Sequence, residues 1–287
     1  MPSNANPVKV AATKALGANV IFSGPTAAER EKVTAEILAR LNGEAPEAQE
    51  ANYSFTPDST AESGASQQDK KTQPKKATAT GTATARLIPP YNHPLTILGQ
   101  STVAYELLQQ LSPSLQPHAI ITPLGGGGLL SGTALACSHP SSSNPPRPGP
   151  IHVFGAEPSF QGADDGYRAF HGSGERITTV KSSTIADGLR TPVGEIPWEL
   201  IYRHKLVRDI YRVGEKEIKR AMRLVWERLK VVVEPSAVVG VAVVLFNEEF
   251  RKMVELEGGE RGWDLGVVLT GGNVDLAKVG ELLKEED

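Results

Sequence analysis

The sequence predicts an α/β fold: an open, twisted, mostly parallel sheet with helices on both faces. Three observations predict it. Short runs rich in apolar residues recur, such as "AIITPL" (119–124) and "IHVFGAEP" (151–158); periodic segments of helical length separate them; and glycine-rich turns follow two of the runs. Runs that are apolar almost throughout belong to strands covered on both faces, and strands that alternate with helices pair in parallel. In such sheets ligands collect at the carboxyl ends of the strands.

Each element follows in order. Asn6-Pro7 ahead of "VKVAATKALGA" predicts a capped first helix with proline at its first position. "ANVIFS" (18–23) is expected as a short buried strand. "GPTAAEREKVTAEILARLNG" (24–43) predicts a helix opened by the box Thr26-x-x-Glu29 and closed by Gly43. Residues 44–85 hold Ala, Thr, Ser, Gln, Lys and Glu with almost nothing large to bury. Such a segment cannot recover its ordering entropy and is expected as a disordered, low-complexity insertion. Helix 100–111 carries Val103, Leu107, Leu108 and Leu111 on one face, and strand 119–124 leads through four glycines into a small-residue helix, "LLSGTALACS". A Pro/Ser loop (139–150) precedes strand 151–158. Strand 205–213, helices 215–232 and 236–255, strand 265–272 and a last helix over 274–284 complete the rhythm.

Composition narrows the function. With 287 residues, 39% of them apolar, the chain can fill a substantial core. A net charge of −3 with both signs interleaved, and no basic stripe carrying aromatic residues, excludes nucleic acid as the expected partner. No stretch approaches about 18 uncharged apolar residues, so no membrane span is expected. The single Cys137 excludes a disulfide framework and a cysteine metal cluster and points to a reducing compartment, the cytoplasm. Six histidines lie scattered without the spacing of zinc ligands.

The chemistry concentrates at "PLGGGGLLSG" (123–132). A strand, then Gly125, Gly126, Gly127 and Gly128, then a helix is the arrangement in which backbone N–H groups and a helix N-terminus hold an anion. A tight turn is the alternative, although one or two glycines would suffice for that. A dinucleotide fingerprint needs Gly at i, i+2 and i+5, which no start in 125–132 provides; a P-loop needs Gly-Lys-Ser/Thr, but Gly132 is followed by Thr133 and Ala134. What remains is a small monophosphate held without a lysine. A second site, "LTGGNVDL" (269–276), again leaves a strand, with Thr270 placed either to meet a ring nitrogen or to cap the turn.

The segments "MPSNANPVKVAATKALGANVI", "PPYNHPLTILGQSTVAYELLQQ", "PLGGGGLLSGTA", "GAEPSFQGADDGY", "TIADGLRT", "LVWERLKVVVEPSAVVGVA" and "VVLTGGNVDL" resemble, in order, those of the serine/threonine dehydratases and serine racemases, fold-type II pyridoxal-phosphate (PLP) enzymes. The resemblance covers 1–43 and 86–284. It implies part of a small domain over 1–43 and 86–98, and a large PLP-binding domain over 99–287 that lacks its N-terminal part. It also implies that Gly125, Gly126, Gly127 and Gly128 hold the cofactor phosphate, that Thr270 bonds the pyridine nitrogen, and that Gly188 and Glu234 lie beside the ring. Glu157, Ala163 through its carbonyl and Asp165 match the family's divalent-metal site, an oxygen-only set suited to Mg²⁺ or Ca²⁺. Two more residues separate Glu157 from Ala163 than in the racemases, and an acidic helix start is the alternative reading of "GADD". Arg30 and Thr191 align with substrate-side positions, and Tyr91 falls where a residue lines the pocket.

The family's Ser-Phe-Lys-x-Arg-Gly-Ala segment, whose lysine forms the Schiff base, and its Ser-Ser-Gly-Asn-His loop occur nowhere in these residues. Lys9 and Lys14 on the first helix, Lys70, Lys71, Lys75 and Lys76 in the insertion, and Lys181 in a loop follow no such context. No catalytic lysine is therefore assigned, and no lysine adduct of PLP that borohydride can fix is expected. Met1 aligns inside the family's small domain, which implies a truncated, impaired enzyme. The reaction implied is β-elimination of water from small hydroxy amino acids, L-serine or L-threonine, to ammonia and a 2-oxo acid, or serine racemisation. The alternatives are a catalytically silent PLP or anion binder and a regulatory subunit. A homodimer or pairing with a full-length homologue is the assembly expected.

Overall fold

A computed structural model describes residues 1–43, 84–112, 115–138 and 149–283. By compactness the chain divides into two units, Met1–Ala27 with Ile88–Asp287, and Ala28–Leu87. The helices are α1 (Pro7–Ala15), α2 (Ala27–Leu41), α3 (Pro94–Gln110), α4 (Gly128–Ser138), α5 (Asp165–His171), α6 (Glu195–Trp198), α7 (Glu215–Leu224), α8 (Val239–Phe246), α9 (Glu248–Gly258) and α10 (Leu276–Leu282).

The first unit is built on the parallel sheet the apolar runs predict. Strands β1 (Ala119–Pro123), β2 (His152–Pro158), β3 (Asp209–Val213) and β4 (Leu265–Val267) pair in parallel in the order β3-β2-β1-β4. Ile121 faces Phe154 on one side and Val267 on the other, and Ala156 faces Tyr211. Every residue of β1 is buried, because successive side chains point to two covered faces. On one face Ile121, Phe154, Ala156 and Tyr211 pack with residues of α7 and α8 and with Phe250 of α9. On the other, Leu124, Val153 and Ile210 meet Leu130 and Ala134 of α4, while Ile120 meets Ala104 and Leu108 of α3. Helices α3 and α4 touch through Gly132, where a Cβ would come within 2.6 Å of the Ile97 carbonyl oxygen.

The chain runs from β1 to β2 to β3 in one direction across the sheet, and β4 then lies on the opposite side of β1. The topological switch therefore falls between β1 and β4, at whose carboxyl ends stand Gly125–Gly128 and the segment 270–273.

Several elements differ from expectation. Residues 18–23 form no strand: a lone bridge joins Pro2 and Ser23, and Phe22 is half exposed. Ser23 exchanges backbone hydrogen bonds with Met1 and Ser3 at 2.8 and 2.9 Å, and one bridge cannot build a ladder. Helix α3 begins six residues before 100, because Pro94 suits a first turn and His93 Nδ1 accepts the Leu95 N–H at 3.2 Å. The strand expected over 205–213 pairs only from Asp209, after Lys205 turns left-handed (φ 54°). The helix expected over 236–255 breaks at Asn247, whose Oδ1 accepts the Phe250 N–H at 2.8 Å and caps α9. Helix α7 gives way to a wider turn over Val225–Leu229, which ends at left-handed Lys230 (φ 60°). The expected cap of α1 is present, with Asn6 Oδ1 accepting the Val8 N–H at 3.0 Å.

In the second unit α2 runs to Leu41 and ends toward Gly43 (φ 72°). All of the 44–85 insertion except Thr84 and Ala85 lies outside the described residues, as do residues 139–148 of the Pro/Ser loop. Asn42 and Ala85 exchange two hydrogen bonds, 2.8 and 3.2 Å. Among the described residues no helix is long and apolar enough to cross a membrane.

Candidate functional site

The glycine loop begins where the Leu124 N–H makes the last bond to β2, at the Ala156 carbonyl, 2.8 Å. Gly127 takes φ 89°, and a Cβ there would lie 2.7 Å from Pro197 Cβ, so glycine is required twice over. A Cβ on Gly126 would enter the ring of Tyr91, and one on Gly125 would stand 3.2 Å from the Gly188 carbonyl oxygen. The Gly194 N–H donates to the Gly126 carbonyl at 3.0 Å, and Asn92 Oδ1 accepts the Ile196 N–H at 3.0 Å. The loop is thus held by Tyr91–Asn92 and by residues 193–197. Among the described residues the N–H groups of Gly125, Gly126, Gly127 and Gly128 meet no acceptor. Unpaired donors at the first residues of an 11-residue helix present partial positive charge, which favours an oxyanion over a plain turn.

Across the switch point, the irregular segment after β4 brings up Thr270, Gly271 and Asn273. Glu234 donates its N–H to the Gly271 carbonyl at 2.9 Å and accepts the Asn273 N–H on Oε2 at 3.2 Å. Its Oε1 lies 3.2 Å from where a Gly271 Cβ would stand. Gly188, in the tight turn Asp187–Leu189, donates its N–H to Ser236 Oγ at 3.0 Å, and a Cβ there would stand 3.9 Å from Glu234 Oε1. Lys9 Nζ reaches Asp187 Oδ1 at 2.8 Å and Glu234 Oε1 at 3.3 Å. The exposed Thr270 hydroxyl bonds no described residue, so it does not cap the turn. Gly188 joins the two sides: its carbonyl abuts Gly125 and its N–H rests on Ser236 beside Glu234.

The fold therefore brings Gly125–Gly128, Tyr91, Gly188 and Glu234 together, with Thr270 next to Gly271 in sequence. Thr191 lies on the segment between Gly188 and Gly194, both of which touch the glycine loop. Arg30 belongs to the second unit, on α2, where its carbonyl accepts the Thr34 hydroxyl at 2.7 Å. Sequence reasoning named Lys9 only to set it aside as a Schiff-base lysine, and did not single out Asp187, Ser236 and Asn273. Asp187, Ser236 and Asn273 sit inside segments already recognised by their glycines and acids, whereas no local signal marks Lys9.

At the end of β2 stands a buried acid pair. Glu157 is fully buried, its Oε1 accepting the Gly166 N–H at 3.1 Å and its Oε2 the Tyr167 N–H at 2.7 Å. Asp165 Oδ2 accepts the Val193 N–H at 3.0 Å. Neighbouring Asp164 turns to Arg168 Nε at 3.0 Å and Arg212 Nη1 at 2.5 Å. Burial, reinforced by the charge of Asp165, pushes the Glu157 carboxyl well above the usual range, and burial pushes Asp165 up to about 7. The carbonyl of buried Ala163 meets no donor among the described residues. The turn Phe160–Gly162, with Gln161 (φ 51°) and Gly162 (φ 78°) both left-handed, takes up the extra length ahead of it. Two buried carboxylates that repel and one unpaired carbonyl suit a hard divalent cation, whose charge would relieve the repulsion. Asp165 also opens α5, so the acidic helix start is present as well. Among the described residues no three His, Cys, Asp or Glu side chains converge, so such a site would need the Ala163 oxygen.

The family model of the pyridoxal-phosphate dependent enzymes matches residues 1–271. A serine racemase of Dictyostelium discoideum is 41% identical over 199 residues, 69% of this chain and 55% of that protein. An L-threo-3-hydroxyaspartate ammonia-lyase of Saccharomyces cerevisiae is 35% identical over 289 positions, 100% of this chain and 68% of that protein. The solved structure of maize serine racemase superimposes with a TM-score of 0.71 at 32% identity, covering 98% of this chain and 67% of that one. Over its matched part, the chain spans about half the length of the serine racemases.

Proposed function

Because the chain belongs to the pyridoxal-phosphate dependent enzymes, we propose that it binds pyridoxal phosphate at the carboxyl ends of β1 and β4 and serves the dehydration or racemisation of small hydroxy amino acids. The observation that carries this reading is the set of unpaired N–H groups of Gly125–Gly128 opening α4 at the topological switch. The relatives named for serine and 3-hydroxyaspartate support this substrate class.

When bound, the cofactor supplies an electron sink for the substrate's α-carbon. The protein's own residues do the rest. Gly125, Gly126, Gly127 and Gly128 bind the phosphate through N–H groups, and Tyr91 covers the loop so that water is excluded from it. Gly188 gives the ring a floor without a side chain, and Glu234, fixed by the Asn273 N–H, lies at its edge. The Thr270 hydroxyl orients the ring nitrogen; a neutral partner leaves that nitrogen less protonated than a carboxylate would, which suits elimination and racemisation. Thr191 is assigned to the substrate side. Glu157, Ala163 and Asp165 would hold Mg²⁺ or Ca²⁺ and so fix α5 against β2. A second reading is a PLP-binding partner of a full-length homologue. A cytoplasmic homodimer is the other assembly consistent with the family.

The experiment is a titration of the purified chain with PLP, followed by tyrosine and tryptophan fluorescence. Gly126→Ala puts a methyl into the Tyr91 ring and is expected to weaken binding at least tenfold while circular dichroism stays unchanged. Unaltered affinity in a folded variant refutes the assignment of the loop.

A further inference from the structure

We propose that the cavity beside the widened turn after α6 is an effector site for a small monoanion with a flat apolar body, an arylalkyl carboxylate. The site itself goes beyond the cofactor reading above, and its link to the glycine loop rests on that reading. Helix α6 does not stop at Trp198: the His204 N–H donates to the Glu199 carbonyl, five residues back, at 2.8 Å, and the turn Glu199–Arg203 widens. Such widened turns give up regular helix geometry and are frequent where a helix serves a ligand. This one borders a cavity of about 500 Å³, within the size range of small-molecule sites. Ile201 and Val207, both buried, and the rings of Phe170 and Tyr202 give the cavity an apolar wall. Phe170 meets Tyr202 edge-on at 5.5 Å, and Tyr202 stacks on Trp198 at 5.1 Å, so both rings are fixed by their neighbours.

Charge decides what such a wall would take. Arg203, Lys205 and Arg208 line the same cavity. Arg203 pairs with Glu175 at 3.4 Å and Arg208 pairs with Glu257, whereas exposed Lys205 has no partner among the described residues. Two of the three cations are thus offset and one is left, which matches a single carboxylate better than a phosphate dianion. Lys205 is also held left-handed (φ 54°), a conformation that a residue with a Cβ adopts at a cost. The cavity reaches the glycine loop through its wall. Ile201 Cδ1 lies 3.5 Å from where a Cβ of Gly127 would stand, and Pro197 Cβ, on α6, lies 2.7 Å from the same point. An occupant that packs on Ile201 and steadies the turn therefore steadies the backbone that opens α4. The affinities of the two sites are then linked, each raising the other by the same factor.

The test titrates the whole chain by calorimetry with 3-phenylpropionate and with its neutral amide. The acid is expected to bind at least about fivefold more tightly than the amide. In Lys205→Gln that preference is lost while the amide binds as before, which damage to the fold would not produce. Lys205→Glu, which reverses the charge, is expected to bind the amide more tightly than the acid. No binding of either probe, equal binding of the two by the wild-type chain, or a preference that survives in both variants overturns the site. The PLP titration is then repeated with the cavity saturated by the acid. PLP affinity is expected to rise at least about twofold in the wild-type chain and not in Lys205→Glu. Equal affinity with and without the acid overturns the effector role and leaves the anion site standing. Binding of the acid without binding of PLP overturns the cofactor reading, and the effector role with it, while the anion site again stands.

Discussion

Thr270 shows how much one side chain can say. Its hydroxyl is exposed in the segment after β4 and bonds no described residue, so its removal costs the fold little. If it holds the ring nitrogen, Thr270→Val loses one hydrogen bond to the ligand, worth about 0.5–1.5 kcal/mol. The expected outcome is PLP affinity weakened roughly two- to tenfold with an unchanged melting temperature, and recovery in Thr270→Ser; equal affinity in all three proteins would remove Thr270 from the site. At this scale the four glycines were legible because a run of residues without side chains is costly unless backbone must approach something closely. Lys9 was not legible, because its partners Asp187 and Glu234 lie 178 and 225 residues away in sequence.

Helix α5 is positioned by a carboxylate from another element. Glu157 on β2 satisfies two of its first N–H groups, those of Gly166 and Tyr167, at the expense of burying an acid beside Asp165. A divalent cation would offset that repulsion, so millimolar Mg²⁺ or Ca²⁺ is expected to raise the melting temperature of the chain by several degrees and EDTA to reverse it. Glu157→Gln should abolish the shift, since an amide keeps one acceptor but supplies no charge. A melting curve indifferent to both metals in the wild-type protein would show that the acid pair holds a proton instead. The elements themselves were legible where periodicity and caps agreed, as in α1, α4 and β1. Ends were missed where a tertiary partner decided them: strand pairing begins at Asp209 and not at 205, and Asn247 splits one expected helix into α8 and α9.

In the sheet-bearing unit, both covered faces depend on large side chains at the centre of β2. Phe154 meets Phe250 edge-on at 5.4 Å and Tyr211 at 5.9 Å, joining β2, β3 and α9 in one core. Phe154→Ala is expected to cost about 3–5 kcal/mol, read as a lower urea midpoint, and to weaken PLP binding only through loss of folded protein. Tighter coupling, with affinity falling in the fraction still folded, would place the core residue in the site's own energetics. The sequence by itself determined the α/β class, the parallel sheet, the glycine loop after β1 and the resemblance to PLP enzymes, because apolar period, glycine runs and collinear motifs are local properties of a chain. Only the tertiary structure decided the strand order that puts the topological switch between β1 and β4, the meeting of Glu157 with Asp165, and the arrival of Lys9 between two distant acids. Those depend on which surfaces bury one another, and pairwise burial between remote segments leaves no mark on either segment alone.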